Sequence, residues 1–348
     1  MGSQIRRIPN LLLTELATLM AKALDWESRI GRRVRLHDLH ALAAVVQSGS
    51  MVKAAKELGV TQSAVSQMIA DLEAALRVRL LDRSPRGVVA TDFGNILLRR
   101  SRAALDELRH GIQEIEFMTD HAAGEVRVGC SESVVACEVV TTIAELFLQR
   151  YAKAVLDVDD VHLGALEPLL DRKLDLVISR GGRGSTLKSI PDELDVKTLF
   201  EDELVVAAGA RSRWFSRREI DLADLVHERW ILTAPEVWNY MLVSETFRAR
   251  GLDVPEISMR TRSVHLRLNL VATGNYITTF PRSVLHLYAD RFGLKALPVD
   301  FPARSWPVSI ITLKNRTLSP VVERFIDCAC EVAKTVEGRA HGRGRLHD

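Results

Sequence analysis

One predicted helix combines a buried apolar stripe with an unusual hydrogen-bonding face. Residues 62–76 read QSAVSQMIADLEAAL. The apolar residues recur at helical spacing along one stripe: Val65, Ile69, Leu72 and Leu76. The opposite stripe is small and uncharged: Ser63, Ser66, Gln67 and Ala70. A solvated helix face usually carries Lys, Glu and Arg, whereas amides and hydroxyls can hydrogen-bond to base edges in the major groove. The pattern favours a base-reading surface, and the alternative is a pair of ordinary core helices.

The residues before this helix predict how it is positioned. Gly59 separates it from a helix at about 51–58 and allows a sharp turn, while Ala54 and Ala55 are small enough for close helix packing. Thr61 is the predicted N-cap, whose hydroxyl satisfies backbone N–H groups. Together with a first helix at 36–48, these segments predict a helix-turn-helix, in which the second helix of the motif meets the bases.

A predicted β-hairpin follows the helix-turn-helix. In RVRLLDRSPRGVVAT, two β-prone runs flank Ser84-Pro85-Arg86-Gly87, which is a turn signal. Arg83 and Arg86 would lie on this wing, where they could contact phosphates or enter the minor groove.

One long helix is predicted from an N-cap at Thr91 to about Thr119. Two interleaved series repeat every seven residues and are apolar at five of six positions: Leu98, Leu105 and Ile112 with Ser101, Leu108 and Ile115. This seam predicts a partner helix, and the alternative is packing against the helix's own domain.

Beyond Gly124 the pattern alternates between strands and helices. Strands such as VRVGC, VLDV and DLVIS are separated by helical segments, one of which runs through Leu170, and a second series follows from LVVAAG to VSIITL. Repeated βαβ units predict an α/β domain with a largely parallel sheet covered by helices. The chain would cross between two lobes near Phe200 and near Pro298.

Ligands of open α/β domains bind beyond the carboxyl ends of the strands. The polar residues predicted at these ends are Ser131, Glu132, Ser133, Ser179, Arg180, Thr233, Ser263 and Thr279. Ser131 and Ser133 would lie at a helix N-terminus, which favours an anion. Arg180 also suggests a carboxylate ligand, but Glu132 opposes it, so the sign of the ligand's charge stays open. For each of these residues, capping or solvation is the alternative to ligand binding.

Composition restricts the classes of protein that fit. The net charge is +2, but residues 1–90 hold 13 Lys and Arg against 8 Asp and Glu, so the basic excess lies in the first quarter of the chain, as expected if that part binds a polyanion. The four cysteines lack the spacing of a zinc site or a disulfide framework, which favours the cytoplasm and predicts neither metal nor cofactor.

The chain has no HExxH, GxSxG or P-loop motif, so an enzyme is not predicted. The apolar run 11–24 resembles a signal peptide but is interrupted by Glu15 and Lys22, and we expect an additional amphipathic helix and no membrane span.

The segment AAKELGVTQSAVSQMIADLEAALRVRLLDRSPRGVVATDFG resembles the winged helix-turn-helix of LysR-type transcriptional regulators. The resemblance extends from Leu36 to about Val336. It implies a winged helix-turn-helix at 35–91, a dimerisation helix at 92–120 and a two-lobed effector domain of the periplasmic-binding-protein type (type II) at 124–336, often in a tetramer. Lobe I would comprise about 124–199 and 299–336, and lobe II about 200–298, with an N-terminal extension at 1–34 and a disordered tail at 337–348. Arg77 and Leu81 depart from the Gly and Phe common in the family, which leaves the path of the wing open.

The resemblance also assigns roles to individual residues. It implies that the DNA-contacting positions are Gln62, Ser63, Ser66, Gln67 and Arg83, and Arg86 is added from its place in the turn. It places the effector cleft at residues 130–133, at 179–182 and at Ser263, and Thr233 and Thr279 are further candidates. We therefore expect a DNA-binding homo-oligomeric regulator that senses a small molecule. A solute-binding receptor without DNA function is the alternative, and it leaves the Gln and Ser face unexplained.

Overall fold

The computed structural model describes residues 33–84, 87–161, 166–181, 191–235, 237–301 and 306–343, and the chain forms two compact units that divide after Leu108. The first unit contains α1 (Leu36–Ser48), α2 (Met51–Glu57), α3 (Gln62–Leu76), β1 (Leu81–Ser84), β2 (Gly87–Ala90) and the first part of α4 (Asp92–Thr119). The predicted helix-turn-helix, hairpin and long helix are therefore confirmed.

The core of the first unit holds α3 in place. Val65, Ile69 and Leu72 are fully buried against α1 and α2. Each such side chain contributes roughly 1.5–3 kcal/mol through burial. Leu98 of α4 is 3% exposed and packs into the same core. The prediction that Leu98 belongs to an intermolecular seam was wrong, because the start of α4 packs Leu98 into the core of the first unit.

The later part of α4 presents an apolar stripe. Leu108, Ile112 and Ile115 of the predicted seam are 50%, 58% and 66% exposed, whereas Leu105 is half-buried and Ser101 is buried. Other large apolar side chains of α4 are also exposed: Phe93, Ile96 and Met118.

The second unit contains two five-stranded sheets. In the first sheet the order is β4 (Lys153–Asp160), β3 (Ala123–Cys130), β5 (Leu176–Arg180), β12 (Val308–Leu313) and β6 (Leu194–Phe200). In the second it is β11 (Leu294–Ala296), β7 (Leu204–Gly209), β10 (Ile277–Pro281), β8 (Trp230–Leu232) and β9 (Ile257–Arg260). The helices are α5 (Glu132–Val135), α6 (Glu138–Arg150), α7 (Glu167–Leu170), α8 (Trp238–Ala249), α9 (Val264–Ala272), α10 (Arg282–Phe292) and α11 (Pro320–Arg343).

The sheets are mixed, so the expectation of a largely parallel sheet was wrong. β3 runs parallel to β4 and β5, and β8 runs parallel to β9 and β10. The pairs β12–β5, β12–β6, β10–β7 and β11–β7 are antiparallel. β12 enters the first sheet, and β7 enters the second, directly after the chain has crossed from the other sheet. Because these two strands enter without a βαβ crossover, they can pair antiparallel with their neighbours.

Two helices differ in length from the prediction. The helix expected to run through Leu170 is the single turn of α7, in a segment interrupted by Pro168. The last helix extends past Val336 to Arg343, so residues 337–343 of the predicted tail are helical although they include Gly338 and Gly342.

Candidate functional site

The amide and hydroxyl face of α3 is exposed in the first unit. Gln62, Ser63 and Gln67 are exposed, and Ser66 is half-buried. Gln67 Nε2 donates a hydrogen bond to Asp71 Oδ1 at 2.8 Å, one helical turn away. This face is therefore free of the unit's core, and Asp71 restricts the conformations of the Gln67 side chain.

Local geometry fixes the start of α3. Thr61 Oγ1 accepts a hydrogen bond from Ala64 N at 3.2 Å and lies 2.9 Å from Ser63 Oγ, so the predicted N-cap is confirmed. Gly59 has φ +66°, a left-handed conformation that favours glycine. The turn closes with a hydrogen bond from Val60 N to Ala55 O at 3.0 Å.

The wing and the residues that lead into it are anchored to the helices by hydrogen bonds from their backbone N–H groups. β1 and β2 pair antiparallel, with Arg83 opposite Val88, and Arg83 is exposed. Val88 N donates to Gly49 O at 3.0 Å, and Glu73 Oε1 accepts from Leu80 N at 2.7 Å. Arg86, the predicted residue at the tip, lies outside the described residues.

Arg77 occupies the position at the end of α3 where the family commonly has Gly. It adopts φ 57°, ψ 31° at the C-terminus of α3, the left-handed conformation that glycine usually supplies at a helix end. The departure from the family residue therefore adds backbone strain at this position, while the hairpin forms with regular register.

In the second unit, Ser131 and Glu132 lie where the two sheets meet. Ser131 is buried at the end of β3, and its N–H donates to Ile178 O of β5 at 3.2 Å. Glu132 Oε1 accepts a hydrogen bond from Val264 N at 2.7 Å, so a carboxylate from the first sheet's side caps α9 on the second sheet's side. Ser263, the N-cap of α9, accepts from Leu266 N at 3.2 Å.

Arg180 is engaged in a buried network. It is 2% exposed and forms an ion pair with Asp202 at 2.6 Å, and Asp202 Oδ2 also accepts from Ser283 Oγ at 2.6 Å. Arg180 Nη2 donates to Ser283 Oγ at 3.1 Å and to the carbonyl of Ser133 at 3.2 Å. The guanidinium therefore holds Ser133 and the crossing near Phe200 together.

The remaining predicted residues are also buried. Ser179 is 2% exposed on β5, Thr233 hydrogen-bonds to Asn239 of α8, and Thr279 is fully buried on β10. The structure thus brings Glu132 to the N-terminus of α9, which begins after Ser263, and brings Ser133 to Arg180, whereas Thr233 is engaged within the second sheet's side.

The sequence reasoning missed Asp202, Ser283 and Arg267. Arg267 is 3% exposed and donates from Nη1 to Thr279 O at 3.0 Å. One signal was available: Arg267 interrupts the apolar stripe formed by Val264, Leu268 and Val271, and a charged residue on a buried stripe indicates a special role.

The cysteines show no reactive or metal-binding arrangement in the described part of the chain. Burial raises the pKa of the Cys130 thiol to about 12 and also raises that of Cys137. In that same part, no cluster of His, Cys, Asp and Glu could hold a metal ion, and none of the helices combines the length and hydrophobicity that a membrane span requires.

Comparisons with known proteins give two family matches. Residues 36–95 match the bacterial regulatory helix-turn-helix protein of the lysR family, and residues 119–334 match the LysR substrate binding domain. The transcriptional regulator TdcA of Escherichia coli K12 is 32% identical over 238 residues, which are 68% of this chain and 74% of TdcA. The regulator YybE of Bacillus subtilis is 30% identical over 283 residues, 79% of this chain and 91% of YybE.

Solved structures show the same fold. Full-length OxyR from Pseudomonas aeruginosa has a TM-score of 0.62 at 18% identity, covering 86% of this chain and 95% of that one. Full-length BenM has a TM-score of 0.50 at 23% identity, covering 88% and 98%. The exposed hydrogen-bonding helix, its wing and the two-sheet second unit thus occur together in a chain that belongs to the LysR family of DNA-binding transcriptional regulators.

Proposed function

We propose that this regulator recognises its operator through α3 and the wing. Gln62, Ser63, Ser66 and Gln67 contact base edges, and Arg83 and Arg86 contact phosphates or the minor groove. The observation that supports this proposal is the exposure of an amide and hydroxyl face on a helix whose other face is buried. A solute receptor without DNA function would have no use for such a face.

Gel-shift titrations on operator and random DNA test these roles. DNA from beside the protein's own gene supplies the specific probe, and raised salt separates phosphate contacts from base contacts. Gln67→Ala should lower the preference for operator by about 5- to 150-fold, because a good bidentate base contact discriminates by about 1–3 kcal/mol. Equal weakening on both DNAs would contradict base reading by Gln67.

The wing arginines provide the matched comparison. Arg83→Ala and Arg86→Ala should weaken binding to both DNAs similarly. Each should also lower the slope of affinity against salt by about 1 for every phosphate that the variant no longer binds. An unchanged slope would contradict phosphate binding by the wing and would leave the proposal for α3 standing.

We further propose that the exposed stripe of α4 forms the dimer. Four large apolar side chains on the later part of this helix are exposed, and a partner helix packed on the stripe would bury them: Leu108, Ile112, Ile115 and Met118. Pairing of dimers into a tetramer would set the spacing of the DNA-binding heads.

The second unit is proposed to bind a small-molecule effector between its two sheets. The proposed lining residues are Ser131, Glu132, Ser133, Ser179, Arg180, Thr233, Ser263 and Thr279, with Arg180 acting through Ser133 and Asp202. We divide the domain into lobe I, about 124–199 and 299–336, and lobe II, about 200–298. Closure of the lobes on a ligand would alter how linked subunits bind and bend DNA.

We infer that the protein works in the cytoplasm and has no catalytic role. Relatives named as transcriptional regulators support this inference, as does the absence of an HExxH, GxSxG or P-loop motif from the sequence. Thermal-shift screening of the whole chain against organic acids, sugars and aromatics would identify the effector, since ligand binding stabilises the folded state.

A further inference from the structure

Arg267 is a buried cation without an anionic hydrogen-bond partner among the described residues. It is 3% exposed, and its Nη1 donates to the carbonyl of Thr279, while its Nε has no hydrogen-bond partner within that part of the chain. Its guanidinium carbon lies 5.2 Å from the centre of the Phe280 ring. Burial lowers the pKa of Arg267 to about 10, against the opposing effect of the Glu132 charge, so the side chain remains charged at neutral pH.

Two other buried arginines in the described residues are neutralised. Arg180 forms an ion pair with Asp202 at 2.6 Å, and Arg316 forms one with Asp175 at 2.9 Å. Burial of a charge is costly unless it is paired and hydrogen-bonded. At Arg267 the Thr279 carbonyl, the Phe280 ring and the charge of Glu132 offset this cost, but no carboxylate of the described residues hydrogen-bonds to the guanidinium, which makes Arg267 a candidate binding residue.

Two other buried groups are unsatisfied on residues that contact α9 or adjoin such a residue in the sequence. The hydroxyls of Thr279 and Ser131 are buried, and neither has a hydrogen-bond partner in the described ranges. Thr279 is the residue whose carbonyl contacts Arg267, and Ser131 precedes Glu132. Glu132 in turn accepts from Val264 N, one turn before Arg267 on the nine-residue helix α9. An anion is therefore already accommodated at the N-terminus of α9, where the helix dipole favours negative charge.

We propose that Arg267 anchors the carboxylate of a small organic acid, which is the effector of this regulator. The inference rests on the proposed effector role of the cleft. The planar guanidinium matches the two oxygens of a carboxylate, and the hydroxyls of Thr279 and Ser131 supply further hydrogen bonds. The Glu132 carboxylate disfavours a doubly charged phosphate more strongly than a singly charged carboxylate, because Coulomb repulsion increases with charge.

Thermal unfolding of the full chain with acids and their neutral amides tests the proposal. The probes are acetate, benzoate and succinate, each compared with acetamide, benzamide and succinamide at the same ionic strength. We expect at least one acid to raise Tm by about 5 °C at saturating concentration, and its amide to have no effect. No shift with any of the acids, or an equal shift with the amide, overturns the proposal.

Variants assign the effect to Arg267. Arg267→Gln should abolish the acid's shift, and Thr279→Val, which removes one hydroxyl at nearly constant volume, should reduce it. Arg282→Gln is the matched control, because Arg282 is exposed and paired with Glu203, and it should keep the full shift. An acid shift that persists in both Arg267→Gln and Thr279→Val refutes the assignment, and Thr279→Val decides alone if Arg267→Gln does not fold.

The outcomes separate this inference from the proposed function. If an amide stabilises the protein as well as its acid, effector binding stands and the anionic anchor fails. If the gel shift shows no DNA binding at all, the regulator proposal itself fails, whatever the thermal shifts show.

Discussion

Asp175 offers the sharpest test of what stabilises the second unit. It is 1% exposed, and its Oδ1 accepts hydrogen bonds from three guanidinium groups: Arg109 at 3.0 Å, Arg127 at 2.8 Å and Arg316 at 2.9 Å. Its Oδ2 accepts from Arg127 N at 2.9 Å. Since Arg109 belongs to the later part of α4, this one carboxylate joins that helix to β3, β5 and the segment before α11.

The pKa of Asp175 gives one estimate of the energy. Burial alone would raise it, but the hydrogen bonds and charge of Arg127 and the charge of Arg316 lower it from 3.8 to about 2. At 1.36 kcal/mol per pKa unit, the ionised carboxylate contributes about 2 kcal/mol. Because the folded pKa lies below the unfolded one, this contribution is present above about pH 4 and is lost as the pH falls towards 2.

Asp175→Asn should destabilise the unit more than protonation of Asp175 does, because the amide NH2 replaces an accepting oxygen with a donor that faces the N–H groups of the arginines. Removing one partner of a buried ion pair costs about 3–5 kcal/mol. For a unit of this size, we expect a fall in Tm of about 6–20 °C. Tryptophan fluorescence is the suitable probe, because the tryptophans of the described residues, Trp214, Trp230, Trp238 and Trp306, lie in the second unit.

The control is Glu331→Gln, which breaks the exposed ion pair with Arg150. Exposed ion pairs contribute little to stability, so Tm should change little. Equal shifts for Asp175→Asn and Glu331→Gln, or a stability of the wild type that does not fall between pH 4 and pH 2, would refute the reasoning.

Three further substitutions test local features. Arg77→Gly should stabilise the first unit by about 1 kcal/mol, because it removes a left-handed backbone conformation from a residue with a Cβ, and a lower denaturation midpoint would contradict this. Gly94→Ala should destabilise the same unit by about 1–3 kcal/mol, since the added Cβ would collide with the carbonyl oxygen of Leu80. A variant that resists proteolysis as well as the wild type would contradict this prediction. Ile112→Glu should dissociate the proposed dimer in analytical ultracentrifugation, whereas the control Glu116→Gln, which also changes an exposed residue of α4, should leave it intact. If both variants remain dimers, the stripe is not the interface.

Local sequence pattern determined the elements of the DNA-binding half. The apolar spacing of Val65, Ile69 and Leu72, the turn at Gly59 and the cap at Thr61 each depend on neighbours a few residues away. Periodicity and turn chemistry record such short-range requirements directly. For the same reason, the order of strands and helices in the second unit could be predicted.

Only the tertiary structure decided which polar residues are paired. Arg180 looked like a free ligand at a strand end, but Asp202, 22 residues away, and Ser283, 103 residues away, engage it. Arg267, absent from the predicted residues, is left without a carboxylate partner in the described part of the chain, and Leu98 of the predicted seam is packed in the first unit's core. Charge compensation and burial depend on contacts between residues distant in the chain, and local spacing carries no record of those contacts.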